Sequence, residues 1–311
     1  MSTKVGTIST SLSDLRRRSS RHSPLPPDYE ATQGIELSHL SPASSSTNTL
    51  PEYTTLYTNN VASGSSTSDF YPTRQLQIQA QGFPLICLPL PPQPDPIYVF
   101  NVTPTGELDE AEYVSIRPAR NSGSCFLARA SDATQAALCT TTYRFGPGKP
   151  PNMRLLGNAI SHNMGSEEIE ISSKGVLTRS VVMRTHLGTF EWRYSSRTER
   201  RALQTSIGEE VNCLLIFEQV MKVAVVGGKQ EERRRKIGQF VRSNGLRTQG
   251  SKRSAAGNGG RLMLDLREWT DRKSEVVEME ILAVASCVSM MKKEVDRRRM
   301  HQIAAMSGAV S

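Results

Sequence analysis

Ile281-Leu282-Ala283-Val284-Ala285-Ser286-Cys287-Val288-Ser289-Met290-Met291 is the stretch on which the fold turns. It is apolar on every side and rich in small residues. Glu275 and Glu278 precede it, and Lys292, Lys293, Arg297, Arg298 and Arg299 follow it. Acid before and base after complement a helix dipole, and Asp271 or Ser274 is placed to cap, which predicts a helix over 274–299. Its eleven apolar residues advance about 16 Å, against a hydrocarbon core of about 30 Å, so it is too short to cross a bilayer. A helix apolar all round must be surrounded by protein, and small side chains let sheet walls approach closely. The expectation is a helix enclosed by β-structure.

Upstream, the sequence supplies the walls. Gln75-Leu76-Gln77-Ile78-Gln79-Ala80-Gln81 alternates polar and apolar side chains as a half-buried strand does. Pro84 and the prolines between 89 and 96 then impose an extended connector. Short β-like runs recur at 97–102, 112–116, 137–145, 168–171, 176–183, 189–194, 211–217, 222–226 and 262–266, separated by Gly, Pro and Asn. In Thr189-Phe190-Glu191-Trp192-Arg193-Tyr194 the three rings fall on one face. Many short strands between turn residues predict a mainly β protein, an antiparallel barrel-like or sandwich domain enclosing the hydrophobic C-terminal helix. This globular domain is placed at 74–311. Within it, residues 227–260 are polar, Gly-rich and basic, and read as a flexible insertion whose part 230–240 forms a short helix. Arg233, Arg234, Arg235 and Lys236 are the candidate anion-binding residues there. Arg297, Arg298 and Arg299 read as the helix terminator.

Residues 1–73 have a different texture: Ser, Thr and Pro dominate and aliphatic residues are few. Such a segment buries too little apolar surface to offset an ordering cost of about 1–2 kcal/mol per residue, and reads as a disordered head. It carries Leu25-Pro26-Pro27-Asp28-Tyr29, a Pro-Pro-x-Tyr ligand of the kind WW domains take. Pro26 and Pro27 hold a polyproline II turn against an aromatic groove and Tyr29 fills a second pocket. Leu50-Pro51-Glu52-Tyr53 is a looser second copy, and two sites on one tether raise avidity. The implied partners are WW-domain proteins, including HECT-type ubiquitin ligases. Ser19 and Ser20, directly after Arg16-Arg17-Arg18, have the setting of a basophilic kinase site.

The formal net charge of +8 implies an anionic partner. An anionic phospholipid surface fits better than nucleic acid, because no aromatic side chains interleave the basic residues for base stacking. Five widely spaced cysteines (Cys87, Cys125, Cys139, Cys213, Cys287) lie in or beside apolar runs, as buried reduced thiols do, and no apolar leader stands at the N-terminus. The expected setting is intracellular, in the cytoplasm and peripheral at membranes.

The residues Gly188-Thr189-Phe190-Glu191-Trp192-Arg193-Tyr194, the strand 262–266 with Trp269, and the helix from Val276 to Arg299 together resemble the tubby C-terminal-like superfold. That group includes the LURP-one-related proteins and the phospholipid scramblases. The resemblance spans about residues 74–299 and implies a barrel closed around a hydrophobic C-terminal helix. The tubby terminal signature and the scramblase calcium segment have no counterpart here, so no phosphoinositide-binding or calcium-binding position is carried over.

Catalytic signals do not accumulate. Gly146-Pro147-Gly148-Lys149-Pro150 has Tyr143 where a phosphate loop needs its first glycine and Pro150 where it needs Ser or Thr. His162 and His186 lack a second ligand at metal spacing, and no serine sits in a nucleophile elbow. The expectation is a non-enzymatic interaction protein without cofactor or metal, whose head recruits WW domains. The alternatives are an anionic-membrane-binding module of tubby-like type and an enzyme of a class the sequence does not identify.

Overall fold

A computed structural model describes residues 70–91, 93–119, 122–143, 149–157, 165–175, 178–224 and 230–308. The head motifs (Ser19, Ser20, Pro26, Pro27, Tyr29, Leu50, Pro51, Tyr53) and His162 lie outside these residues.

Thirteen strands follow one another: β1 (Arg74–Gln79), β2 (Ile97–Val102), β3 (Leu108–Ile116), β4 (Cys125–Arg129), β5 (Ala137–Thr142), β6 (Asn152–Leu155), β7 (Glu167–Glu170), β8 (Ser172–Ser173), β9 (Val181–Thr185), β10 (Gly188–Tyr194), β11 (Val211–Ala224), β12 (Gln230–Ser243) and β13 (Gly260–Leu264). Helix α1 (Arg197–Ile207) lies between β10 and β11, and helix α2 (Lys273–Gly308) follows β13 after a single 3-10 turn. All strands belong to one antiparallel sheet in the order β7-β6-β5-β4-β3-β2-β1-β13-β12-β11-β10-β9-β8. Every neighbour in it is also a neighbour in sequence except β1 and β13, whose pairing joins two meanders. The two free edges, β7 and β8, are consecutive in the chain with only Ile171 between them, and β7 lies against β9. The sheet is therefore a nearly closed barrel, which leaves little unpaired edge.

The barrel is filled by α2. Its residues from Glu278 to Met291 are all buried. Ile281, Leu282, Val284 and Cys287 share one core with Leu76 and Ile78 of β1, Tyr113 of β3, Phe190 and Trp192 of β10, Phe217 of β11 and Leu262 and Leu264 of β13. Three polar links tie helix to wall from different sides: Tyr113 Oη donates to Glu280 Oε1 (2.8 Å), Arg74 Nε to Glu280 Oε2 (3.0 Å) and Trp192 Nε1 to Ser286 Oγ (2.8 Å). Trp192 also stacks on Phe217, centroids 4.6 Å apart. The enclosed helix expected from the sequence is the fold.

A second, smaller core lies outside the barrel wall, where Ile207 of α1 packs with Val211, Leu214 and Ile216 of β11, Val241 of β12 and Leu246. Helix α1 has a complete capping box: Ser196 Oγ accepts from Glu199 N (3.2 Å) and Glu199 Oε2 accepts from Ser196 N (2.7 Å). Its apolar stripe is only Leu203 and Ile207, one turn apart in an otherwise polar sequence, too short a pattern to reveal the helix by periodicity.

Three expectations are corrected. The segment 227–260 is not a flexible insertion with a helix at 230–240: β12 pairs with β11 from Gln230 to Ser243, and a bulge at Ile237 resets its register. Residues 230–236 are an unbroken polar run with no alternation to signal a strand, and it is the long partner β11 that draws them into the sheet by satisfying their backbone. Second, α2 does not end at Arg299. It runs to Gly308, because no proline or glycine intervenes and Ala304, Ala305 and Met306 favour helix. Third, Cys87 is an exposed thiol, whereas Cys139 and Cys287 are buried.

Candidate functional site: an arginine pocket where the helix leaves the barrel

The four residues first singled out for anion binding do not form a shared basic surface, because successive side chains on a strand point to opposite faces. Arg234 bridges Glu191 Oε2 (2.8 Å), Glu218 Oε2 (2.9 Å) and Glu232 Oε1 (2.6 Å). Arg235 pairs with Glu268. Lys236 donates to Gln239 Oε1 (2.5 Å) beneath the ring of Phe70, and burial draws its pKa down to about 8. Arg233 faces solvent near Glu231 (3.9 Å). With Lys174 and Arg193, Arg234 forms an ion-pair network on the outer wall, centred on the buried carboxylates Glu191 and Glu218. Its positive charge is neutralised in place.

Charge of one sign collects elsewhere. Where α2 emerges from the barrel, a cavity of about 400 Å³ is lined by six arginines (Arg179, Arg242, Arg247, Arg253, Arg297 and Arg298) and His301, with Glu294 as the one lining carboxylate and Arg253 paired outward with Glu210 (3.0 Å). Four segments position them: Arg242 lies on β12, Arg247 and Arg253 on the β12–β13 connection, Arg297 and Arg298 on α2, and Arg179 on the chain leading into β9.

Glu294 organises the site. It accepts from Tyr194 Oη (2.7 Å), from the backbone N of Gly257 (3.1 Å) and from Arg242 Nη1 (2.8 Å). Gly257 has φ +69°, and a Cβ there would stand 2.7 Å from the carbonyl oxygen of Met291, so the β12–β13 connection reaches the helix only through a glycine. Arg242 is 5 % exposed, its guanidinium 4.8 Å above the Phe240 ring. Burial opposes its charge, but the Glu294 carboxylate outweighs that and raises its pKa further. Its Nε and Nη2, the Nη1 of Arg247 and both amide atoms of Asn212 are buried without a hydrogen-bond partner among the described residues. An unsatisfied buried polar atom costs about 1–3 kcal/mol, more when charged, so this corner of the barrel carries unmet hydrogen-bonding demand beside the cavity. Delocalised guanidinium donors aimed into a low-dielectric recess suit the oxygens of phosphate or carboxylate.

A second cavity, about 420 Å³, lies on the opposite side of α2 between Phe83, Ile97, Tyr143, Val288 and Lys292. Its charges are already matched: Lys292 Nζ lies 2.5 Å from Asp296 Oδ2, and Arg299 Nη1 is 3.8 Å from Asp296 Oδ1. Among the described residues no cluster of His, Cys, Asp or Glu side chains is arranged to hold a metal ion, and no helix is long and apolar enough to cross a membrane.

The arginine pocket was missed in the sequence because its residues are scattered from 179 to 301. The only local signal was the run Arg297-Arg298-Arg299, which the helix pattern absorbed. Fold and site together define an antiparallel β-barrel threaded by its own C-terminal helix, with a cationic recess at the helix exit. No protein-family model, curated protein or solved structure matches this chain.

Proposed function

We propose that this protein is a non-enzymatic anion-binding module whose arginine pocket receives a phosphate group displayed on an anionic phospholipid surface. The observation that carries the reading is the lining itself: Arg179, Arg247, Arg297, Arg298 and His301 gather around the buried Arg242–Glu294 pair, and Glu294 is the one carboxylate among the lining residues. Flanking Arg297 and Arg298 would add long-range attraction to a negative surface. A helix sheathed by strands is in keeping with the resemblance to tubby-like and scramblase-like proteins, which belongs to this proposal. The head gives the module a second arm: the Pro26-Pro27-x-Tyr29 and Leu50-Pro51-x-Tyr53 motifs would recruit WW-domain partners, ubiquitin ligases among them, to the surface that the barrel holds.

Pyrophosphate is a suitable soluble probe. It is expected to raise the melting temperature of the full chain at low salt, to lose that effect in Arg297→Glu/Arg298→Glu, and to act more weakly as ionic strength rises. A wild-type melting temperature indifferent to pyrophosphate would refute the pocket. Tyr29→Ala with Tyr53→Ala is expected to abolish capture by an immobilised WW domain and to leave the pyrophosphate response intact.

A further inference from the structure

The end of the barrel that carries the arginine pocket also carries an apolar projection that nothing in the fold covers. Between β1 and β2, Leu85, Ile86, Leu88 and Leu90 of the proline-rich connector are exposed, Ile86 at 91 % and Leu88 at 69 %. Beside them Met300, Ile303 and Met306 of α2 are exposed as well. The two segments are tied together: Gln302 Nε2 donates to the Leu85 carbonyl (2.7 Å) and Arg299 Nε to the Pro89 carbonyl (3.4 Å). Soluble domains expose single apolar side chains freely, but a contiguous cluster of this size marks a contact surface.

The distribution of charge identifies the contact. No charged side chain occurs from Gln75 to Pro94, and none follows Arg299 on α2 through Gly308. Directly below this uncharged tip stand Arg297, Arg298 and Arg299, and no carboxylate lies on the helix beyond Asp296. At 100° per residue, Arg297, Arg298 and His301 fall on the pocket side of the helix and Met300, Ile303 and Met306 on the other. The helix tip from Met300 to Gly308 is about 13 Å long, comparable to the 5–10 Å by which apolar faces sink below lipid headgroups. A second copy of the chain docked on this surface would set its arginines against these, which like-charge repulsion opposes. A bilayer of anionic lipid offers negative headgroups at the level of the arginines and hydrocarbon just beyond.

We infer that the 84–91 connector and the last turns of α2 form a membrane-inserting wedge, which sinks into the outer layer of an anionic bilayer while the arginine pocket engages a headgroup. The inference rests on the pocket being an anion site, since that fixes which end of the barrel faces lipid.

The test uses the full chain and vesicles of phosphatidylcholine and phosphatidylserine at 70:30. Trp192 and Trp269 are buried, so a tryptophan placed by Ile86→Trp reports the wedge separately. Its emission is expected to shift to the blue on vesicles and to be quenched by lipids brominated in the acyl chains. Ile86→Asp with Leu88→Asp, both at exposed sites, is expected to lower vesicle partition at least tenfold while keeping the wild-type pyrophosphate shift. Unchanged Ile86→Trp emission on vesicles that still float the protein would overturn the wedge and leave the pocket standing. So would a wild type that answers pyrophosphate but never floats. A stable dimer without lipid, dissociated by Ile86→Asp/Leu88→Asp, would assign the surface to self-association and overturn it too.

Discussion

His186 sits between two carboxylates, Nδ1 at 2.7 Å from Glu167 Oε2 and Nε2 at 2.9 Å from Glu278 Oε2. Nδ1 hydrogen-bonds Glu167 and Nε2 stands within ion-pair distance of Glu278, a setting that favours the imidazolium over the neutral ring. Burial alone would lower its pKa, but the hydrogen bonds and charges of Glu167 and Glu278 outweigh burial and raise it above 6.5. Glu278 is raised as well, chiefly by burial, so the folded state holds protons at both groups more tightly than the unfolded chain. The contribution of His186 is complete below about pH 6.5 and is lost as pH rises through its elevated value, whereas that of Glu278 is complete only below about pH 4.5 and is lost through its own raised value. Chemical denaturation of wild type and His186→Asn across pH 6–9 is expected to converge toward the alkaline end. Parallel curves would mean that the ring stays neutral. In the sequence His186 was only a solitary histidine, because its partners come from β7 and α2, 19 and 92 positions away.

Glycine in the β12–β13 connection acts by closeness. The run Gly257-Asn258-Gly259-Gly260 looks like flexible linker in the sequence, yet all four residues are buried. At Gly259 a Cβ would overlap the carbonyl oxygen of Ile78 and the hydroxyl of Thr248. At Gly257 it would meet Val295 Cγ2 at 2.5 Å and Met291 O at 2.7 Å, on a left-handed backbone. Gly257→Ala is therefore expected to destabilise the fold by about 2–4 kcal/mol, measured by urea denaturation, and to weaken the pyrophosphate response by moving Glu294. The opposite error arose in β12. Arg233-Arg234-Arg235-Lys236 read as a solvated loop because its charges balance only against Glu191, Glu218 and Glu268 on other elements. Strand β10 was read correctly for the complementary reason: alternating aromatic and charged side chains are a local pattern, and burying one face requires nothing else to be known.

At the scale of the whole molecule, barrel and projecting helix tip are separable. Residues Glu278 to Met291 fill the barrel, whereas the turns beyond Arg299 are largely exposed. Ending the chain after Arg299 is expected to change stability by less than about 1 kcal/mol in urea denaturation, because little apolar surface is uncovered. The same truncation is expected to reduce vesicle binding. The sequence by itself determined that strands surround a helix. That information is local, since period-two alternation and a short all-round apolar helix each state which faces must be hidden from water. Only the tertiary structure decided where unmatched charge accumulates. Every arginine looks alike along the chain, and whether its charge is cancelled depends on carboxylates brought near by strand pairing. Arg234 and Arg242, eight residues apart on one strand, are each met by carboxylates from other elements, but Arg234 stands in a network on the outer wall and Arg242 beside a recess where arginines outnumber the single lining carboxylate.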